Sequence, residues 1–239
     1  MRSVIAAVLV PVVVFLIGPY TFLPSLIEYA VARDVQSRLG VEKQPEVRLR
    51  SDPAPEMLRG EFAGGRITLE NARLGGVRAQ RARIYLDPFD IDVWDTMRSG
   101  RVVDRKPLSG DLWIEVSEDE VARLTQARSD VPVEGVGVTK RGMVVSSEAT
   151  VLGSRFPVDV EGDLGLRDGD LVFAPQGLEA AGVPVPDELA DRLLEGTGFE
   201  YSLGRLPYQT SITGVETGED RIVLEGRVPS IPLGVYPGG

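Results

Sequence analysis

The sequence predicts an α+β protein, mainly antiparallel β, placed after a membrane segment. Three observations carry this. No residue from Ser3 to Ile27 is charged, a stretch of 25 residues. The next segment, through Leu39, places its apolar residues at helical spacing. Beyond Gly40 the apolar residues alternate with polar ones at period two, on one face only, the mark of half-buried strands in antiparallel sheets.

Residues 1–21 form the first part, a transmembrane anchor or a signal segment. Arg2 precedes an apolar core over Val4–Ile17, and 25 uncharged residues can cross a hydrocarbon layer of about 30 Å. Pro11, Gly18, Pro19 and Pro24 interrupt the later part of a membrane helix. An uncleaved anchor is preferred over a cleaved signal peptide, because no small-x-small cleavage site follows and Gly18-Pro19-Tyr20 places proline beside the scissile bond. A buried N-terminal helix of a soluble protein is the third reading. The lone Arg2 puts the N-terminus in the cytoplasm and the body outside, in the cell envelope.

Residues 22–239 are expected to form a single β-rich domain. Leu23–Leu39 reads as a long amphipathic helix: Pro24 suits its first turn, and Leu26, Ile27, Ala30, Val31, Val35 and Leu39 make one stripe that ends at Gly40. Strands follow at Arg66–Glu70 (Ile67 and Leu69 on one face), Leu112–Val116 (Leu112, Ile114, Val116) and Met143–Val151. Others are Phe156–Val160, Phe199–Leu203 and Ile222–Val228. Turn signals lie at Gly64-Gly65, Gly75-Gly76, Ser109-Gly110, Arg141-Gly142 and Thr217-Gly218, with a tight hairpin at Asp168-Gly169. Two short helices are expected. Ser117 with Glu120 reads as a capping box opening a helix to about Arg128, and Pro186–Glu195 is the other.

The chain is 43% hydrophobic and 26% charged, enough for a packed core. Its net charge of -10 argues against nucleic acid as a partner. Residues 1–110 hold 16 basic and 13 acidic residues, whereas residues 111–239 hold 10 and 23. That asymmetry either orients the molecule on an anionic surface or reflects the solvated faces of different strands.

The chain contains no cysteine and no histidine. Disulfides, thiol nucleophiles, Ser-His-Asp triads and the common zinc sites are therefore excluded. The three lysines, Lys43, Lys106 and Lys140, stand outside any Ser-x-x-Lys context. Asp87, Asp90, Asp92 and Asp95 alternate with Phe89, Ile91, Val93 and Trp94 on an extended segment. They read as a solvated strand face rather than a calcium loop, which needs oxygens arranged around a tight turn. No pair among the 36 acidic residues stands out as a glycosidase dyad. The protein is expected not to be an enzyme and to need no cofactor and no metal.

Arginine outnumbers lysine 23 to 3 and concentrates in the first strands, at Arg48, Arg50, Arg59, Arg66, Arg73, Arg78, Arg81 and Arg83. Guanidinium forks bind phosphate bidentately, so these residues read either as head-group contacts or as ordinary strand surface. Trp94 and Trp113, the only tryptophans, suit a membrane interface or a ligand entrance as well as a core.

The order of segments resembles a known family. A membrane segment and the helix Leu23–Gly40 lead into Gly-rich strands, then Val158-Asp159-Val160-Glu161-Gly162 through Asp168-Gly169-Asp170-Leu171. Gly182-Val183-Pro184-Val185-Pro186-Asp187-Glu188-Leu189 and a terminal Arg221-Ile222-Val223-Leu224-Glu225-Gly226 complete it. Over about residues 22–230 this is similar to the LmeA family of phospholipid-binding proteins from actinobacterial cell envelopes. The chain departs from the family at Asp52–Gly60, where an aromatic and proline phrase before a glycine is usual.

The resemblance implies phospholipid binding, a role in envelope lipid or lipoglycan maintenance, and a tubular fold with the long helix lying in a strongly curved sheet. It implies no catalytic residues. Acyl chains are expected against Leu26, Ile27, Ala30, Val31 and Val35 of the helix and Ile67, Leu69, Ile84, Leu86, Leu112, Ile114 and Phe173 of the strands. Arg66, Arg81 and Arg83 would meet the head group. The expected partners are membrane phospholipid, the cytoplasmic membrane and an envelope polymer-synthesis enzyme. The competing reading is an envelope scaffold without a lipid groove.

Overall fold

A computed structural model describes residues 25–51, 54–99, 101–127, 132–151, 154–180, 183–185, 198–203 and 206–231. The expected membrane segment and the helix expected at Pro186–Glu195 lie outside these residues. Among the described residues no helix is long and apolar enough to cross a membrane.

The protein is mainly antiparallel β with few helices. Helix α1 covers residues 25–39. One six-stranded sheet has the order β1 (Glu46–Arg50), β3 (Gly64–Leu74), β4 (Val77–Leu86), β6 (Leu108–Ser117), β14 (Arg221–Ile231), β13 (Ser211–Thr217). A second runs β11 (Val183–Pro184), β10 (Asp170–Ala180), β9 (Ser154–Arg167), β8 (Gly142–Val151), β7 (Val133–Thr139), with β12 (Phe199–Tyr201) also on β10. β2 (Glu61–Phe62) and β5 (Phe89–Asp90) make a small ladder. Two further helices are α2 (Val93–Ser99) and α3 (Glu118–Gln126).

Two compact units can be distinguished. One is Met1–Leu69, Arg83–Asp111 and Val228–Gly239; the other is Glu70–Ala82 and Leu112–Arg227.

In the first unit, α1 buries Ile27, Val31 and Val35, the i, i+4, i+8 row of its stripe, together with Ala32, and leaves Leu26 and Tyr29 exposed. Glu28 Oε1 accepts a hydrogen bond from Leu49 N at 2.8 Å, which ties the helix to β1. The strand core here is Val47, Ile67, Leu69, Ile84, Leu86 and Leu108. Each such side chain contributes about 1.5–3 kcal/mol through removal from water. Phe62 and Phe89 stack at 4.9 Å across the β2–β5 ladder.

In the second unit, β7 to β10 form an antiparallel meander. β9 and β10 are linked by Asp168-Gly169, where both residues have positive φ (54° and 87°), the left-handed pair that two-residue hairpins require. Phe173 is buried and stacks on Phe199 at 5.4 Å. α3 is pinned by its acidic first turn: Glu118 Oε2 accepts from Val138 N at 2.7 Å, and Glu120 Oε1 accepts from Arg78 N at 2.9 Å.

Burial changes parity along two strands. In β3 it steps from Ile67 and Leu69 to Ala72 and Leu74, across Asn71 with φ 51°. In β4 it steps from Val77 and Ala79 to Ala82, Ile84 and Leu86.

Several expectations need correction. Gly64-Gly65 and Ser109-Gly110 are not turns but lie inside β3 and β6. A Cβ on Gly110 would collide with the Tyr85 carbonyl of the neighbouring strand, so glycine there serves close backbone approach. The capping box at Ser117 does not form, since Ser117 makes no side-chain cap bond. Glu120 is drawn instead to Arg78 N and Arg123, and α3 ends at Gln126. The segment around Asp92 is not extended throughout. Asp92 Oδ1 accepts from Asp95 N at 3.0 Å and starts α2 as an N-cap, which holds its carboxyl below the usual value. Phe156 is exposed although Val158 and Val160 on the same face are buried.

Candidate functional site

The expected apolar lining is distributed over both units. Ile27, Val31 and Val35 of α1, with Ile67, Leu69, Ile84 and Leu86, are all buried in the first unit. Leu112, Ile114 and Phe173 are buried in the second. Ala30 is half-buried, and Leu26 stands 60% exposed at the start of α1. Apart from these two, every expected lining residue is closed in by protein at 7% exposure or less. In the first unit both the helix stripe and the inward strand faces are therefore buried.

The outer face of the same sheet is polar. Because Val47, Ile67 and Ile84 point inward, Arg48 and Arg50, Arg66, and Arg83 and Tyr85 project to the other side. Arg48, Leu49, Arg50, Gly65, Arg66 and Tyr85 line a concavity of about 380 Å³. Of the three expected head-group residues, only Arg66 lies in it. Arg83 is half-buried on β4. Arg81 belongs to the second unit and pairs with Glu115 at 3.4 Å. Arg48 and Arg50 are among the first-strand arginines but not among the three expected head-group residues. The signal that joins them to Arg66 is the β1–β3 register, which pairs Arg48 with Arg66 and Arg50 with Gly64.

The second unit has a concavity of about 320 Å³ lined by Thr139, Arg141, Gly142, Met143, Val144, Glu161, Gly162, Asp163, Gln176 and Gly177. Glu161 and Asp163 share the exposed face of β9, and Asp163 accepts a hydrogen bond from Gln176.

Among the described residues no three acidic side chains converge as a metal site. Two of the Asp87–Asp95 carboxylates have structural partners: Asp87 Oδ2 accepts from Ser109 Oγ at 2.5 Å, and Asp92 pairs with Arg105 at 3.6 Å. Trp94 is 77% exposed on α2 and Trp113 is 37% exposed on β6, so neither is a core residue.

A family model described as LmeA-like phospholipid-binding matches residues 19–227 of the 239-residue chain. Its description is one of binding, not of catalysis. No curated protein and no solved structure matches the chain.

Proposed function

From the premise that the chain belongs to the LmeA-like phospholipid-binding family, we propose that it is a non-catalytic lipid-binding protein of the cell envelope. It is held in the cytoplasmic membrane by its N-terminal segment, with the body on the outer side. It takes phospholipid acyl chains into an elongated apolar groove bounded by the α1 stripe and the inward faces of β3 and β4. In that setting it serves lipid or lipoglycan maintenance or lipid transfer, beside an envelope polymer-synthesis enzyme. A tubular arrangement, with the helix lying in a strongly curved sheet, suits this role.

The observation that supports lipid binding, besides the family, is a set of buried apolar residues, Ile27, Val31 and Val35 with Ile67, Leu69, Ile84 and Leu86, in a unit whose sheet also carries arginines on its other face. The lining residues pack on protein, so admitting an acyl chain requires α1 and the strands to part. The same close packing favours the second reading, a scaffold whose interior is filled by its own side chains.

Native mass spectrometry of the full chain after gentle extraction separates the two. Lipid binding gives adducts with phospholipid masses. A chain that is consistently free of lipid and ignores phospholipid vesicles leaves the scaffold.

A further inference from the structure

Antiparallel β1 and β3 set Arg48 directly opposite Arg66, and Arg50 opposite Gly64. Directly opposed residues lie about 4.5–5.5 Å apart at Cα, and like charges so placed destabilise a sheet. The chain as a whole has ten more acidic than basic residues, so compensating carboxylates are not scarce. Yet only Arg48 has one, Glu46 at 2.6 Å on its own strand. Arg50 and Arg66 have no carboxylate partner among the described residues. Glu28, the acidic residue of α1 nearest to β1, is turned to Leu49 N and leaves the guanidinium groups unmatched.

The shape matches the charge. Gly64 offers no side chain opposite Arg50, so the floor between the arginines is strand backbone at Leu49 and Gly65. Three guanidinium arms stand around a hollow of about 380 Å³, with Tyr85 on its wall. Guanidinium forks present paired N–H donors that fit two oxygens of a phosphate, and charge-assisted bonds of this kind are about twice as strong as neutral ones. Tyr85 adds apolar ring surface, which suits an organic ester more than a bare ion.

We propose that Arg48, Arg50 and Arg66, with Tyr85, form a binding cleft for a phosphate ester, and that its occupant is the phosphodiester of a phospholipid head group. The oxyanion chemistry stands on the cleft alone. Naming a lipid as its source rests on the phospholipid reading above. The position is consistent with that source. Glu28 is the first charged residue after the uncharged run Ser3–Ile27, and it is hydrogen-bonded to the strand that carries two of the three arginines.

The test uses the full chain in non-ionic detergent, titrated calorimetrically with glycerophosphoglycerol, a soluble phosphodiester head group, and separately with inorganic phosphate. The variants are R50Q/R66Q and, as a control on the exposed face of β9, R167Q. Arg50 is exposed and Arg66 half-buried on the outer face, so folding is checked by equal melting temperatures. The expected result is that wild type and R167Q bind glycerophosphoglycerol more tightly than phosphate, and that R50Q/R66Q weakens this binding about tenfold or more, as loss of two charged donors requires. Equal affinity of R50Q/R66Q and wild type, or equal weakening by R167Q, overturns the cleft. Inorganic phosphate binding as tightly as the diester overturns the lipid source. Phospholipid adducts on the wild type together with an unaffected R50Q/R66Q refute the cleft while leaving lipid binding in place. Absence of adducts with R50Q/R66Q still impaired leaves an anion cleft and refutes the lipid.

Discussion

Glu120 is the clearest case of one side chain fixing local structure. It is 5% exposed and accepts from Arg78 N at 2.9 Å and from Arg123 Nε at 2.7 Å. The Arg123 bond, ahead of the one from Arg78 N, holds its carboxyl below the ordinary value of 4.5. Glu120→Ala leaves a strand amide without its partner, and a loss of about 2–3 kcal/mol in urea unfolding is expected. Because the folded pKa is lowered, this contribution is present above the unfolded value of 4.5 and disappears as pH falls through the folded one. Asp104 has the opposite sign. Burial raises its carboxyl above 3.8, Asp34 adds to this, Arg38 opposes it, and its Oδ2 has no hydrogen-bond partner among the described residues. A raised folded pKa stabilises only below the unfolded value and is lost as pH rises through the folded one. Asp104→Asn is therefore expected to raise the melting temperature at pH 7 and to leave it unchanged near pH 3; a lower value at pH 7 would contradict the desolvated carboxylate. Neither role was legible in the sequence. Glu120 matched a capping box by spacing, and its actual partner, Arg78, is 42 residues away in the chain.

At the scale of elements, α1 and most strands could be read from periodicity, because half-burial imprints itself on the chain whenever an element covers a core with one face. Ile27, Val31 and Val35 are buried on a single row, and exposed Leu26 lies just off it. Ile27→Ala is expected to destabilise by about 2–5 kcal/mol, and Leu26→Ser by no more than about 0.5 kcal/mol. Equal effects in a denaturant series would show that the helix does not bury this row. The Asp168-Gly169 hairpin was legible because its residues are the ones that tolerate positive φ. The Gly64-Gly65 and Ser109-Gly110 pairs were misleading because glycine also serves where two backbones come close, and composition does not separate the two uses. α2 was missed because its short run alternates like a strand. The signal present was Asp92 three residues before Asp95, an N-cap pattern. Asp92→Ala is expected to speed amide exchange over Val93–Thr96, while Asp92→Asn, which can still cap, is not.

For the molecule as a whole, the class of binder was legible mainly through the order of segments and the missing histidine and cysteine. The cleft at Arg48, Arg50 and Arg66 was not, because it depends on strand register, which a single sequence leaves open. The basic excess lies in residues 1–110 and the acidic excess in the remainder. If the basic part meets lipid head groups, affinity for anionic vesicles should fall steeply between low and physiological salt, since the screening length shrinks to about 8 Å at 0.15 M. Affinity unchanged by salt would assign that interaction to apolar contact alone. The most direct measurement is photocrosslinking of the full chain with a phospholipid that carries a reactive group in its acyl chain, followed by peptide mapping. The expected result is adducts on α1 around residues 27–35 and on β3 and β4 at Ile67, Leu69, Ile84 and Leu86. Adducts confined to outward-facing residues, or no adducts at all, would contradict an acyl chain held against that buried apolar set.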